Sequence, residues 1–176
     1  MSSPEGIAGR VLRIADATSG ATGLVGACLV LPLAAVMFYE VVLRFAFDLP
    51  TFWAYEFAWM LTGAHFALGI GYVMREGNHV RVDFLYARFG PRQRAAVDLL
   101  VEALFLAPLA IWLSVHLGAE TWTAWRIGEV SGESAWNPVV WPLKLAVFIG
   151  FAVFALQVLA QILRDLRTVL GRGTGQ

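Results

Sequence analysis

Four apolar runs, separated by clusters of charge, dominate the chain. They lie between Asp16 and Glu40, Glu56 and Arg75, Glu102 and Glu120, and Lys144 and Arg164. About 20 residues rising 1.5 Å each cross the hydrocarbon of a bilayer, so each run predicts a membrane-spanning helix. The third run is the shortest and borrows Val97 to Val101. None shows the alternation of a barrel strand, and lipid offers no partner to a free backbone amide, which leaves helices. The expected fold is an all-α integral membrane protein, a single domain over residues 1–176. Its four spans fall at about 20–43, 55–74, 96–118 and 143–163.

Between the second and third spans, Val82, Leu85, Tyr86 and Phe89 recur at i, i+3, i+4 and i+7, with Arg81, Asp83 and Arg88 mostly off that stripe. This spacing predicts an amphipathic helix lying on the leaflet, ended by Gly90-Pro91. The connection from Ala119 to Pro142 is rich in tryptophan, glycine and proline. There Trp122, Trp125 and Arg126 suit either a short interfacial helix or a loop anchored by its indoles.

Composition narrows the class. The chain is 59% hydrophobic and 15% charged, against about 25% charged in a soluble domain. Lys+Arg and Asp+Glu are both 13, so no net positive charge draws it to nucleic acid. Ten basic residues (Arg10, Arg13, Arg75, Arg81, Arg88, Arg92, Arg94, Arg164, Arg167, Arg172) fall on the side of both termini, and Arg44, Arg126 and Lys144 on the other. The positive-inside rule therefore puts both termini in the cytoplasm. Trp53, Trp59, Trp122, Trp125, Trp136 and Trp141 gather at outer helix ends, where an indole meets both water and lipid. Arg10 and Arg13 before an overlong apolar run suit an uncleaved signal anchor, and the tail from Gly171 to Gln176 carries no motif.

Candidate chemistry is sparse. Gly63, Ala67 and Gly71 place a small residue at every fourth position of span two, a close-packing face for another helix of this bundle or of another subunit. Gln157 and Gln161 give span four a mildly polar stripe. Glu40 and Arg44 are spaced for an i,i+4 pair, and Glu56 suits a helix N-terminus. Cys28 reads as a small apolar filler. No phosphate loop, paired zinc ligands or activated nucleophile appears, so no catalytic, cofactor or metal site is expected. His65 and His116 are the histidines within spans, which raises a bis-imidazole haem and, with it, a respiratory membrane anchor as the alternative reading. Their heights differ by roughly 8 Å at 1.5 Å per residue, which disfavours a shared iron.

Two stretches resemble a known family. Glu40, Arg44 and Phe45, then Pro50, Trp53 and Glu56, match an arginine closing helix one and a Trp-x-x-Glu opening helix two. Arg75, Glu76, Gly77, His79, Val80, Arg81, Val82 and Asp83 resemble the segment Arg-Glu-Gly-x-His-Ile/Val-x-Val-Asp. The family is the DctQ-type small membrane subunit of tripartite ATP-independent periplasmic (TRAP) transporters, and the likeness covers nearly the whole chain. It implies a non-catalytic subunit in the bacterial inner membrane that braces a large multi-span subunit. In such a system a periplasmic binding protein delivers an organic acid, and import is coupled to sodium. It also implies that Arg44, Trp53, Glu56, Arg75, Glu76, Gly77, His79, Arg81 and Asp83 serve structure or partner contact.

Overall fold

The computed structural model describes residues 7–76 and 90–170. Among them the regular elements are all helices, four of them long and apolar enough to cross a membrane. We number the elements α1 (Ile7–Ala46), α2 (Ala54–Arg75), α3 (Pro91–Val101), a π-helical turn (Glu102–Leu106), α4 (Ala107–Ile127) and α5 (Trp141–Val169). The leaflet helix expected around Val82 to Phe89 lies outside the described residues.

Local sequence explains where the helices stop. α1 ends at Ala46, where Asp48 turns left-handed at φ 56° and Leu49 N–H bonds Leu43 O at 3.0 Å, with Pro50 following. That wrapped end satisfies a carbonyl the helix would otherwise leave open. α3 opens with Pro91 after Gly90, and the Gln93 side chain reaches back to Gly90 N–H at 3.0 Å. Proline suits this position because its missing N–H has no helical partner there anyway. α4 closes at Gly128, whose φ of 62° allows Glu129 N–H to reach Ala124 O at 2.9 Å. This is a Schellman closure, for which glycine is the residue without a Cβ penalty.

α3, the π turn and α4 run on as one rod, of which the 35 residues Gln93–Ile127 include a segment long and apolar enough to cross a membrane. The π turn sits directly before Pro108, which removes one backbone donor and crowds the carbonyl four residues earlier. Widening the preceding turn relieves that crowding. The rod also corrects one expectation. Trp122, Trp125 and Arg126 belong to the last turns of α4 and form no separate interfacial helix. Their i, i+3, i+4 spacing is the same in either case, and nothing between Gly118 and Ile127 breaks the helix.

α2 packs between α1 and α5, and α5 in turn packs on α4, so the last helix lies at the centre of the bundle. A close backbone approach joins α2 to α5: a Cβ built on Gly150 would collide with Ala67 O. Gly63 faces Leu143 and Gly71 faces Val153, each with a built Cβ 3.0 Å away. The small-residue stripe of α2 thus lies against α5 of the same chain, where dispersion between close backbones replaces the hydrophobic drive that lipid lacks. α1 has 40 residues, about 60 Å at 1.5 Å per residue, roughly twice the hydrocarbon thickness.

Candidate functional site

Polar side chains collect at two ends of the bundle. The hairpin end holds residues 47–53 and 128–140. The terminal end is where α1 and α3 begin and α2 and α5 finish.

At the hairpin end, Glu40 is buried and its carboxylate does three things. It accepts from Arg44 Nε at 2.9 Å, from Thr51 N–H at 3.1 Å, and from the Thr51 hydroxyl. One side chain thereby fixes both the end of α1 and the entry to α2. Trp53 stands just before α2, its ring 6.1–6.5 Å from those of Tyr39, Phe57 and Trp136. These tilted and edge-on pairings suit the ring quadrupole and join α1, α2 and the later loop in one aromatic cluster.

That loop is clasped into a small hairpin. Ser131 N–H bonds Pro138 O and Val140 N–H bonds Glu129 O, both at 3.0 Å, and Asn137 Oδ1 accepts from Gly132 N–H at 2.7 Å. The clasp carries Ser131 onto Glu56, the hydroxyl donating to Oε1 at 2.8 Å. Glu56 is 2% exposed, in the first turn of α2, where the helix dipole favours a carboxylate. Lys144 in the first turn of α5 donates to Glu129 at 2.6 Å and to Glu120 at 3.5 Å, tying the hairpin and α4 to α5.

The terminal end is joined differently. Ser19 is buried on α1 and donates to Gln157 Oε1 of α5 at 3.0 Å. Gln157 is fully buried and its amide donates to Asp16 at 3.1 Å, while Arg164 Nη2 donates to the same carboxylate at 2.6 Å. Arg164 also donates to Gln161 at 3.1 Å, and Gln161 to Asp165. Arg75 closes α2 beside this network, its guanidinium 6.0 Å over the Tyr72 ring and close against Gly20 of α1. Glu76 follows as an exposed C-cap. Each donor in this chain of bonds meets an acceptor, which makes it a clasp between first and last helices and not an open ligand site.

Arg44, Trp53 and Glu56 therefore share the hairpin end, and Arg75 and Glu76 lie at the other. Gly77, His79, Arg81 and Asp83 lie outside the described residues. The residues the sequence did not reveal are Ser131, which caps Glu56, and the set Asp16, Ser19 and Arg164. The Gln157/Gln161 spacing was the one hint of the second set.

Two further corrections concern the spans. Cys28 is exposed on α1, so it packs no core; the uniform hydrophobicity of α1 hid which face turns inward. Glu102, the boundary of the third apolar run, is not at the edge of its helix but buried within the π turn of the rod. His65 Nδ1 donates to Gly26 O at 2.9 Å, and His116 lies flat on Trp112 at 5.6 Å. Both helices pack on α5, and no feature among the described residues supports the haem-anchor alternative.

Residues 33–168 match the family model described as tripartite ATP-independent periplasmic transporters, DctQ component. Neither a curated protein nor a solved structure matches the chain.

Proposed function

The chain belongs to the DctQ component family of tripartite ATP-independent periplasmic transporters, and from that premise we propose that it is the small, non-catalytic membrane subunit of a sodium-coupled importer of an organic acid. In this reading it braces the stationary scaffold of the large transport subunit and holds no complete substrate site. The hairpin end faces the periplasm and both termini face the cytoplasm.

The observation that carries the reading is the placement of polar groups. The ion pairs of Arg44 with Glu40, Lys144 with Glu129 and Glu120, and Arg164 with Asp16 sit at the ends. Between them the flanks are apolar and exposed, with Leu24, Leu31, Phe38, Leu104, Phe105 and Val115 at 64–73%. Such a surface suits lipid or a large membrane partner, whereas a conduit for an anion needs polar groups along its length. The segment Gly77, His79, Arg81 and Asp83, at the cytoplasmic end of this orientation, serves the seat on that partner.

Purification in mild detergent is the test. The chain should bring with it one large multi-span subunit, and should take up no solute when reconstituted alone. Uptake by the isolated chain, or its purification without that partner, would overturn the reading. His79→Ala and Asp83→Ala should lower co-purification several-fold; unchanged recovery and uptake would remove the motif from the interface.

A further inference from the structure

A cavity of about 390 Å³ opens at the hairpin end, between the first turns of α2 and α5 and the loop from Glu129 to Glu133. Its charge does not balance. Lys144 is already shared by Glu129 and Glu120, and among the described residues lining the cavity it is the one cation. Glu56 and exposed Glu133 add two further carboxylates. Glu56 is 2% exposed; Oε1 is held by Ser131, while Oε2 is buried with no hydrogen-bond partner among the described residues. Leaving a buried carboxylate oxygen unsatisfied is costly, so a hydrogen-bond donor entering the cavity would be stabilised there. Tyr55 and Trp59, 77% and 51% exposed, add aromatic faces to the wall, which attract cations through the ring quadrupole.

We propose that this cavity receives an arginine or lysine side chain of the periplasmic binding protein when that protein docks. The hairpin loop joins the ends of α4 and α5 and supplies half of the wall with its polar residues Glu129, Ser131 and Glu133, which favours a partner arriving from water over a lipid headgroup. A guanidinium or ammonium group would meet Glu56 and Glu133 and complete the bonding that Oε2 lacks. The inference rests on the reading above, in which this end faces the periplasm within a three-part complex.

The test uses the complex of this chain with its large subunit in phospholipid nanodiscs, with association of the cognate binding protein as the readout. Recovery of the two-subunit complex is measured first; its failure overturns the parent reading, and this inference falls with it. With that complex intact, Glu133→Lys should weaken association about tenfold or more. Glu56→Gln should weaken it less, and raising salt should weaken the wild type more than Glu133→Lys. Changing arginines and lysines of the binding protein singly to glutamate should yield one that restores association with Glu133→Lys. Association unchanged in both cavity variants would overturn the inference. So would loss of a bound phospholipid from Glu133→Lys with association intact, since that assigns the cavity to lipid.

Discussion

At the hairpin end Glu40 reaches Arg44 four residues on and Thr51 eleven residues on, whereas at the terminal end Ser19 reaches Gln157 across 138 residues. The first kind of contact shapes a connection; the second decides which helices are neighbours. Glu40, Thr51 and the clasp of Glu129 to Val140 fold two turns tightly enough to bring Trp53, Trp136 and buried Glu56 together. Asp16, Ser19, Gln157 and Arg164 instead pin the start of α1 to the finish of α5. Bonds between the first and last helices fasten one end, and two built loops, one of them bonded to Glu56 75 residues away, close the other, an arrangement in keeping with the brace proposed above.

The largest expected effect comes from breaking what both ends depend on. Gly150→Leu would drive a side chain into the Ala67 carbonyl, which is backbone and cannot step aside. The cost should be about 3 kcal/mol or more, seen as loss of monodisperse protein in mild detergent and a collapsed thermal transition. Gly69→Ala, with open space around it, should melt like the wild type. Equal melting of Gly150→Leu would show that α2 and α5 are farther apart.

Gln157→Leu separates the ends. It strips buried Ser19 of its acceptor and half-buried Asp16 of one donor, for a loss of about 2 kcal/mol. Adding Ser19→Ala should recover part of that loss in a thermal melt, since an apolar pair leaves nothing unsatisfied; no recovery would place the strain elsewhere. At the hairpin end, Ser131→Ala deprives buried Glu56 of its bond and should cost about 1–2 kcal/mol. It should also loosen the Trp53–Trp136 contact, read as a shift in tryptophan emission, while Gln157→Leu leaves emission unchanged. The smallest effect belongs to Lys144→Met. Its pairs are partly solvated, so the loss should stay within about 1 kcal/mol and shrink at high salt.

The same contrast explains what could be read from the chain. The Glu40–Arg44 pair and the small-residue stripe of α2 were legible, because helical periodicity alone sets which residues share a face. Gln157 and Gln161 announced a polar face, but their spacing carries no information about Asp16 or Ser19, which meet them only through the tertiary arrangement. Ser131 escaped notice because a serine in a Gly/Pro-rich loop has no period, and its contact with Glu56 exists only once the hairpin is clasped. The π turn before Pro108 was not legible, because a proline inside an apolar run does not say whether a kink, a break or a widened turn will absorb it. The face of α1 that Cys28 occupies was not legible, because a helix apolar on all sides does not reveal its inward face.

The most direct test of the proposed brace is to lock it. A Cβ built on Gly26 lies 3.4 Å from Cβ of Leu68, close to the roughly 3.5–4.5 Å of a disulfide. Gly26→Cys with Leu68→Cys, in a Cys28→Ala background, should join α1 to α2 in the complex reconstituted with its large subunit. If this subunit stays rigid while its partner moves, binding-protein-dependent uptake will be the same with the crosslink formed and reduced. Uptake abolished by the crosslink and restored by reductant would mean that the helices move during transport, and would contradict the account.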